Sequence, residues 1–460
     1  MLGTALQPDI EELIRNRQWG ELRLAMQELH AADIAEIIID LPAEDEAILF
    51  RLLPRGIATE VFSHLPPDHQ ETLIGSLTSE QTRSILEQMT PDDRTHLFEE
   101  LPSEVTRRLV AALPPAELKA AQELLGYPPE SAGRYMTPRY VTLRPDMSAG
   151  EALEHVRRTA PGKETLNILY VVDHDGRLDR DLRLSSLVLA SPEQRLSEID
   201  DRPLVAIPAT TDREEVLRTF EKYDRFALPV VDASDHMLGI ITGDDVLDVA
   251  SEEATEDIHK IGGMEALDEP YLDVTFLTMI KKRGVWLSVL FIGEMLTASA
   301  MAHFEQEIAK ALVLMLFVPL IISSGGNSGS QATTLIIRAL ALTELRLRDW
   351  WRVMRREVLS GVALGAWLGF IGFLRVLIWQ HFGWVDYGEH HVLVAVTVWL
   401  SLIGVVGFGT LAGSMLPFIL RAVGLDPATS SAPFVATLVD VSGLIIYFSI
   451  AALLLRGTLL

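Results

Sequence analysis

The sequence of 460 residues contains no cysteine, so disulfides and thiolate metal sites are excluded. The first twenty residues, MLGTALQPDIEELIRNRQWG, lack the apolar run of a secretory signal, and no cleaved signal is expected. The sequence also lacks a phosphate-binding Gly-Lys loop, a Ser-His-Asp order and a cofactor fingerprint. It therefore does not predict an enzyme.

Basic residues are scarce: 39 Lys and Arg stand against 64 Asp and Glu, a formal net charge of −25. Most of this acidity precedes about Pro270. Such a surface repels the backbone of nucleic acids, so no nucleic-acid partner is expected. The charge suits cations as ligands or counterions. No segment indicates an obligate protein partner.

After Lys281 the composition changes to long apolar runs that are broken by short polar loops. Runs of this length cross a lipid bilayer as helices. The sequence predicts an all-α transmembrane domain over 281–460 with five spans, at about 284–303, 310–336, 356–379, 392–419 and 432–455.

The charges of the loops predict the orientation of these spans. The connection between the second and third spans is rich in arginine and is placed in the cytoplasm. The connections after the first and third spans, AHFEQEIAK and QHFGWVDYGEHH, are poor in basic residues and are placed outside. The N-terminus is then cytoplasmic and the C-terminus outside, in a bacterial inner membrane.

A twelve-residue repeat fills most of the region 1–130. Leu or Met recurs at this spacing and is followed each time by Pro or Thr, at Leu41, Leu53, Leu65, Leu77, Met89, Leu101 and Leu113. Pro at a first helical position, or Thr as an N-cap, starts a short helix, so seven stacked units predict an all-α superhelical domain. Two functions are open for this domain. It is a spacer or interaction domain, or it senses cations through the acidic residues at its helix starts, including Asp92 and Asp93.

Two copies of a β-rich unit follow, over 131–199 and 200–250. Each copy has an extended segment, a helix and a buried strand that ends in Val-Val-Asp, at 171–173 and 230–232. These features resemble a tandem pair of CBS domains, which implies an α/β pair that often binds adenine nucleotides or metal ions. The run from Gly239 to Asp245 resembles the segment that places Thr242 and Asp245 near a ribose. In the first copy, Arg183 and Ser186 stand where that hydroxyl and that acid would be. Two interpretations stay open, a pair that binds ATP and a dimerising regulatory pair that does not.

An acidic segment, predicted as a connecting helix over 251–280, joins these domains to the membrane part. The acids of the run from Asp244 to Gly263 fall largely at helical i, i+3 and i+4 spacing, so several share one face; they are Asp245, Asp248, Glu252, Glu253, Glu256 and Asp257. Like charges at this density face solvent or are neutralised by a cation. Both interpretations stay open.

The second span contains PLIISSGGNSGSQATTLIIRALA, in which Pro319, Gly325, Gly326 and Gly329 accompany Asn327. Broken backbone at membrane depth marks ion and substrate sites in transporters. The sequence therefore predicts an interrupted helix beside an ion path. The alternative is a glycine-rich packing seam between helices.

A single acid, Asp440, lies within the fifth span, and an intramembrane carboxylate indicates a functional site with a partner. Oxygen ligands and retained water suit a hard divalent cation, Mg²⁺ above all. A two-fold dimer with Asp440 near its axis would supply two carboxylates. Asp426 is expected near the cytoplasmic end of this span. Glu294, in the first span, is a second polar pore residue or a helix-pairing group.

The segments GGNSGSQATTLIIRALA, LRLRDWWRVMRRE, MLPFILRAVGLDP and PFVATLVDVSGLIIYF resemble the MgtE family of magnesium channels and transporters, as does the domain order. The resemblance implies a homodimer whose pore is lined by the second and fifth spans, with Asp440 at the ion-selecting position and Ala436 and Asn327 nearby. Pro319, Gly325 and Gly326 belong to the same pore segment.

The resemblance also implies regulatory Mg²⁺ between the N-terminal domain, the CBS pair and the connecting helix. The positions that match are Asp92, Asp224, Asp245, Asp248, Glu253, Glu256, Asp257 and Asp426. His96 stands where the family has an acid. The expected function is Mg²⁺ uptake through a pore that cytosolic Mg²⁺ closes. An ion-coupled secondary transporter and a CBS membrane sensor that transports nothing are the alternatives.

Overall fold

The computed structural model describes residues 2–199, 203–267, 271, 274–342 and 344–459. The predicted boundary between residues 199 and 200, and part of the predicted connecting segment (268–270, 272 and 273), lie outside the described residues. The chain divides into two units, Met1–Ala250 and Ser251–Leu460.

The first part of the first unit is entirely helical. Its helices are α1 (Leu2–Arg15), α2 (Trp19–Gln27), α3 (Ala31–Ile39), α4 (Ala43–Leu52), α5 (Arg55–Ser63), α6 (Pro67–Ser76), α7 (Ser79–Gln88), α8 (Pro91–Glu100), α9 (Ser103–Ala112) and α10 (Pro115–Leu125). Helices α4 to α10 are the seven predicted repeat units. Each of the first six buries the apolar residue eight positions after its repeat leucine or methionine, namely Leu49, Val61, Leu73, Ile85, Leu97 and Leu109. The repeat thus forms one continuous core.

The helix starts confirm one part of the predicted capping and correct another. The hydroxyls of Thr78 and Thr90 cap α7 and α8 by accepting from the backbone N–H of Gln81 and Asp93. The repeat prolines occupy the N-cap and not the predicted first helical position; they are Pro42, Pro54, Pro66, Pro102 and Pro114. Their extended ψ values fit this position, and a proline carbonyl still accepts the first helical hydrogen bond.

The two β-rich copies have the predicted α/β architecture and the same strand order. The first contains α11 (Ala132–Tyr135), β1 (Thr142–Leu143), α12 (Ala149–Thr159), β2 (Ile168–Val172), β3 (Leu178–Arg183) and α13 (Leu184–Leu189). The second contains β4 (Ile207–Pro208), α14 (Arg213–Tyr223), β5 (Ala227–Val231) and β6 (Met237–Thr242). In each sheet the middle strand pairs in parallel with the first strand and antiparallel with the third.

A buried ion pair joins the two copies. Arg225, which precedes β5, donates to the Oδ2 of Asp181 in β3 at 2.7 Å. The two side chains are only 4% and 5% exposed. An isolated bridge between Arg177 and His236 also connects the copies. These contacts support a single paired domain.

The connecting helix, α15 (Gly243–Ile261), starts before the predicted residue 251 and ends well before 280. It begins directly after β6, where the carboxylate of Asp245 accepts from the backbone N–H and the hydroxyl of Thr242. The boundary between the two units falls within this helix, whose residues from Ser251 onward belong to the second unit.

The second unit contains α16 (Phe276–His303), α17 (Glu305–Lys310), α18 (Val318–Ala341), α19 (Trp350–His381), α20 (His391–Ala422) and α21 (Ala432–Leu455). Among the residues that the structure describes, five helical segments are long and apolar enough to cross a membrane, with mean hydropathies of 1.6 to 2.3. Their positions confirm the five predicted spans.

The predicted interruption of the second span is wrong at its glycines. Helix α18 runs unbroken through Gly325 and Gly329, and a 3-10 segment, Leu312–Phe317, precedes it. The glycines allow close packing instead, because a Cβ on Gly413 of α20 would lie 2.2 Å from the carbonyl oxygen of Gly329. Small residues favour this kind of approach between membrane helices, so the unbroken helix and its close packing agree with the packing-seam alternative at Gly325 and Gly329.

Candidate functional site

The acid in the fifth span lies on a cavity between α16 and α21. The cavity has a volume of about 470 Å³ and is lined by Asp440 together with Ala436, one helical turn earlier. The Ser431 hydroxyl caps α21 by accepting from Phe434 N–H at 3.3 Å. The cap fixes the start of the helix, and nine residues later Asp440 is well inside the span.

The other predicted pore residues lie on α18. Gly326 packs against α21, since a Cβ there would lie 3.6 Å from the Cβ of Ala436. Gly325 is buried against Val405 and Val439. Asn327 is exposed, and Pro319 occupies the exposed first turn of the helix. The structure therefore brings Gly326 to Ala436, and it places Asn327 and Pro319 outside the residues that line the Asp440 cavity.

A lysine occupies the position between two of the predicted regulatory acids. Lys260, near the end of α15, contacts the Oε1 of Glu256 one turn earlier and donates to the Oδ2 of Asp426 at 2.7 Å. Burial lowers the pKa of Lys260, but its hydrogen bonds to Asp426 and Glu256 outweigh that effect and hold the net pKa above its usual value. Lys260 was not predicted from the sequence because its partner, Asp426, is 166 positions away.

Three predicted regulatory acids come together within the first unit. Asp92, in the first turn of α8, is 7% exposed, and its charge acts on Asp245 at the start of α15. Asp248 lies one turn further along α15, at the exposed edge of the group, within electrostatic reach of His96. His96, the departure from the family pattern, thus supplies a basic group where a carboxylate is expected.

Burial and mutual repulsion make these acids difficult to ionise. Burial, and then the charge of Asp93, raises the pKa of Asp92 to about 6. Burial, and then the charge of Asp92, raises the pKa of Asp245 well above its usual value. Partial burial also raises the pKa of Asp248, although His96 opposes the effect. A cation near this group would relieve the cost of the charges.

Glu164, in the loop after α12, joins the same group and was not predicted. Burial, and then the charges of Asp92, Asp244 and Asp93, raises its pKa to about 7, while Arg139 lowers it. Nothing in the local sequence distinguishes Glu164 from a surface acid. Only the fold brings it to the start of α8.

The described residues contain no group of three or more His, Asp or Glu side chains that is arranged to hold a metal ion. This does not conflict with Mg²⁺, which usually keeps several waters and binds through one or two carboxylates. The Oδ1 of Asp92 is buried and has no hydrogen-bond partner among the described residues, so it fits a hydrated cation. Asp224 does not belong to α15; it is the C-cap residue of α14 and has a left-handed backbone conformation. Glu253 and Asp257 are half-buried on α15.

The residues predicted to contact a ribose bind each other. The Thr242 hydroxyl donates to the Oδ2 of Asp245 at 2.7 Å, and the Thr242 backbone N–H donates to the same oxygen at 3.1 Å. In the first copy, Arg183 is the N-cap of α13. This geometry gives Thr242 and Asp245 a structural role at the start of α15.

Known families match three parts of the chain in order. They are the MgtE intracellular N domain over 29–130, the CBS domain over 132–179 and 196–252, and the divalent cation transporter MgtE over 318–450.

Whole-length similarity extends to curated proteins. The magnesium transporter MgtE of Thermus thermophilus is 39% identical over 455 residues, which cover 98% of this chain and 99% of that protein. The magnesium transporter MgtE of Bacillus subtilis is 32% identical over 340 residues, or 73% of this chain and 72% of that protein.

Two solved structures resemble the soluble part. The cytosolic domain of the Mg²⁺ channel MgtE in complex with ATP is 36% identical, with a TM-score of 0.51, and covers 53% of this chain and 100% of that structure. The soluble part of a magnesium transporter is 25% identical, with a TM-score of 0.51, and covers 55% of this chain and 99% of that structure.

Proposed function

The chain belongs to the MgtE family of divalent cation transporters, and on this basis we propose that it carries Mg²⁺ across the membrane and that cytosolic Mg²⁺ closes its path. Its relatives are named as magnesium transporters over nearly the whole length of the chain. The transported ion is thus proposed by similarity, and the path by the position of Asp440.

The cavity at Asp440 is the observation that supports a transport path most directly. A carboxylate in an apolar helix is costly unless it faces water, protein or an ion. Asp440 lines a space of about 470 Å³, which is large compared with the roughly 30 Å³ that one water molecule occupies in the liquid. A partly hydrated Mg²⁺ fits such a space. Asp440 would provide the negative charge that selects the cation.

One carboxylate balances only half the charge of a divalent cation. In a homodimer with its two-fold axis near α21, two copies of Asp440 would neutralise one Mg²⁺. Gly326 of α18 packs against Ala436, which itself lines the Asp440 cavity, so α18 would support the helix that carries Asp440. A dimer would also cover part of α16, which is largely exposed in the single chain.

The acids of the first unit are the proposed sensor. A ligand shifts a two-state equilibrium only through its different affinities for the two states. Mg²⁺ stabilises the arrangement in which Asp92, Asp245 and Asp248 lie together, because it offsets their repulsion. When cytosolic Mg²⁺ falls, the repulsion separates them, and α15 transmits the change to the membrane unit. Asp224, Glu253, Glu256, Asp257 and Asp426 are the further proposed metal positions.

The protein is a multi-pass membrane protein, and its orientation follows from loop charge. Arginines cluster just before α19 and in its first two turns, at Arg346, Arg348, Arg352, Arg355 and Arg356. By the positive-inside rule we propose that this arginine-rich segment, and with it the N-terminus, lies in the cytoplasm of a bacterial cell, with the C-terminus outside. The acidic sensor then faces cytosolic Mg²⁺.

The CBS pair is proposed to couple the sensor to the pore and not to depend on ATP. A solved relative contains ATP. In this chain the hydroxyl of Thr242 donates a hydrogen bond to the Oδ2 of Asp245 at 2.7 Å. A bound ribose would have to replace this hydrogen bond. The buried Arg225–Asp181 pair supports a rigid coupling unit.

Flux measurements separate this proposal from its two alternatives. Mg²⁺ entry into proteoliposomes should depend on Asp440 and stop when Mg²⁺ is added on the cytoplasmic face. Flux that requires a second ion gradient would indicate a coupled transporter. Ligand-dependent changes in the first unit without any flux would indicate a sensor.

A further inference from the structure

Glu294 is a second acid at membrane depth, and it lies in the middle of α16. Its side chain is exposed in the single chain, and it has no hydrogen-bond or ion-pair partner among the described residues. A carboxylate in this position requires water, a cation or a proton. The apolar sequence around it, LFIGEMLTAS, provides none of these.

The fold places Glu294 on the cavity that holds Asp440. The remaining lining is mostly apolar, and the hydroxyl of Thr437, which also lines it, donates to the carbonyl of Pro433 at 3.0 Å. Glu294 and Asp440 are therefore the two ionisable groups among the residues that line this space.

A close helix contact fixes this placement. A Cβ on Gly293 would lie 2.9 Å from the Cγ2 of Thr437, so α16 and α21 touch at the residue next to Glu294. The negative charge of Glu294 also acts on the carboxyl group of Asp440. The two acids share one electrostatic environment although 146 positions separate them in the chain.

We propose that Glu294 is a second carboxylate of the cation path, which raises the affinity of the Asp440 cavity for a divalent cation. This inference rests on the proposed transport function and assigns it a further specificity-determining residue. Two carboxylates on one cavity repel each other, and a divalent cation relieves that repulsion more completely than a monovalent one. A hydrated Mg²⁺ held by one or two carboxylates is the usual protein arrangement.

The role predicts a specific kinetic change. Glu294→Gln keeps the size of the side chain and removes its charge, so the external Mg²⁺ concentration at half-maximal uptake should rise about tenfold, the effect expected of one charge in a partly hydrated site. The maximal flux should change far less. Glu294→Asp retains the charge and should recover most of the wild-type concentration dependence. A role in helix pairing alone would not produce this separation.

The experiment measures initial Mg²⁺ uptake into proteoliposomes over a range of external Mg²⁺, with an indicator dye inside. The variants are Glu294→Gln, Glu294→Asp and Asp440→Ala, with Glu305→Gln as the matched control. Glu305 begins α17, beyond the end of α16, and is exposed away from the cavity lining. Equal reconstitution and a single size-exclusion peak establish that each variant is folded.

A higher half-maximal concentration in Glu294→Gln, with recovery in Glu294→Asp and no change in Glu305→Gln, supports the proposal. Wild-type concentration dependence in Glu294→Gln would overturn it while leaving the role of Asp440 intact. If Glu294→Gln does not fold, Glu294→Asp provides the test. A concentration dependence in Glu294→Asp that differs from the wild type would then overturn the proposal. Absence of flux in the wild type would reject the transport function and this inference together.

Discussion

The Nζ of Lys260 lies 2.7 Å from the Oδ2 of Asp426 and also contacts Glu256, so one lysine holds two acids that family resemblance marks as metal positions. The contact ties the last turn of α15 to the loop that precedes α21. Asp426 also orders that loop, because its Oδ1 accepts from the Ala428 N–H at 2.8 Å. In this arrangement the lysine supplies a positive charge at the place where the proposal puts a regulatory Mg²⁺.

Lys260→Met should therefore loosen the end of α15 at low Mg²⁺ and make its order more dependent on Mg²⁺. Because Lys260 is 28% and Asp426 38% exposed, the loss is expected to be only about 1 kcal/mol. Hydrogen–deuterium exchange in residues 251–261 measures it. Lys119→Met, which removes an exposed i,i+4 pair with Glu123, is the control. Unchanged exchange in Lys260→Met, with and without Mg²⁺, would contradict this account.

The first unit should become more stable as the pH falls from about 8 to about 5 in the absence of Mg²⁺. The pKa of Glu164 is raised from 4.5 to about 7, and that of Asp92 from 3.8 to about 6. A folded pKa above the unfolded value means that the folded state binds protons more tightly. The stabilisation is complete below the unfolded pKa values and is lost as the pH rises through 6 to 7.

The expected change in the free energy of unfolding is about 2 kcal/mol over this pH range. Thermal unfolding of residues 1–250 in chelator, at several pH values, measures it. Glu164→Gln should flatten the pH dependence, whereas Glu154→Gln, at an exposed position, should not. Added Mg²⁺ should stabilise the wild type most at the high end of the range. A free energy of unfolding that decreases as the pH is lowered toward about 5 would contradict the raised pKa values of Glu164 and Asp92.

The buried pair of Arg225 and Asp181 predicts a non-additive result. Arg225→Met leaves the carboxylate of Asp181 buried without its guanidinium, which typically costs about 3–5 kcal/mol. The double variant Arg225→Met/Asp181→Leu removes both charges and should recover much of this loss. Chemical denaturation of the first unit measures both. Equal losses in the single and double variants would show that the charge left behind is not the cause.

Gly413→Ala should destabilise the membrane unit. The new Cβ would meet the Gly329 carbonyl oxygen at 2.2 Å, and two packed backbones cannot separate locally. The expected cost is about 1–3 kcal/mol, seen as a lower unfolding temperature in detergent. Gly407→Ala on the same helix is the matched control, because nothing lies within 4 Å of a Cβ there. A similar effect of both substitutions would contradict the packing argument.

The glycines of the second span show where sequence reasoning fails. Gly and Pro at membrane depth predicted a broken helix, because these residues weaken helices in water. In α18 the helical hydrogen bonds remain intact, and the glycines instead allow α20 to pack closely against it. The hydroxyls of Ser328 and Thr410, which are 82 positions apart, form a 2.7 Å hydrogen bond between these two helices. Such a partner is not visible in local sequence.

Periodic and duplicated features were predictable because their cause is local. The twelve-residue repeat positions the buried residues from Leu49 to Leu109 in successive helices, and the duplicated Val-Val-Asp strands end at the same point of their sheets. The position of Asp440 inside the fifth span was predictable because the apolar run that surrounds it is local. Glu164 and Lys260 were not, since their roles arise from distant segments that only the fold brings to them.

The most direct test is Mg²⁺ flux into proteoliposomes that contain the full chain, with the wild type beside Asp440→Ala, at micromolar and at millimolar Mg²⁺ on the cytoplasmic face. Glu389→Ala, in the exposed connection before α20, is the control. We predict flux in the wild type and the control at low cytoplasmic Mg²⁺, its loss at high Mg²⁺, and no flux in Asp440→Ala. Flux that persists in folded Asp440→Ala, or no flux in folded wild type at any Mg²⁺ concentration, would contradict the proposed function.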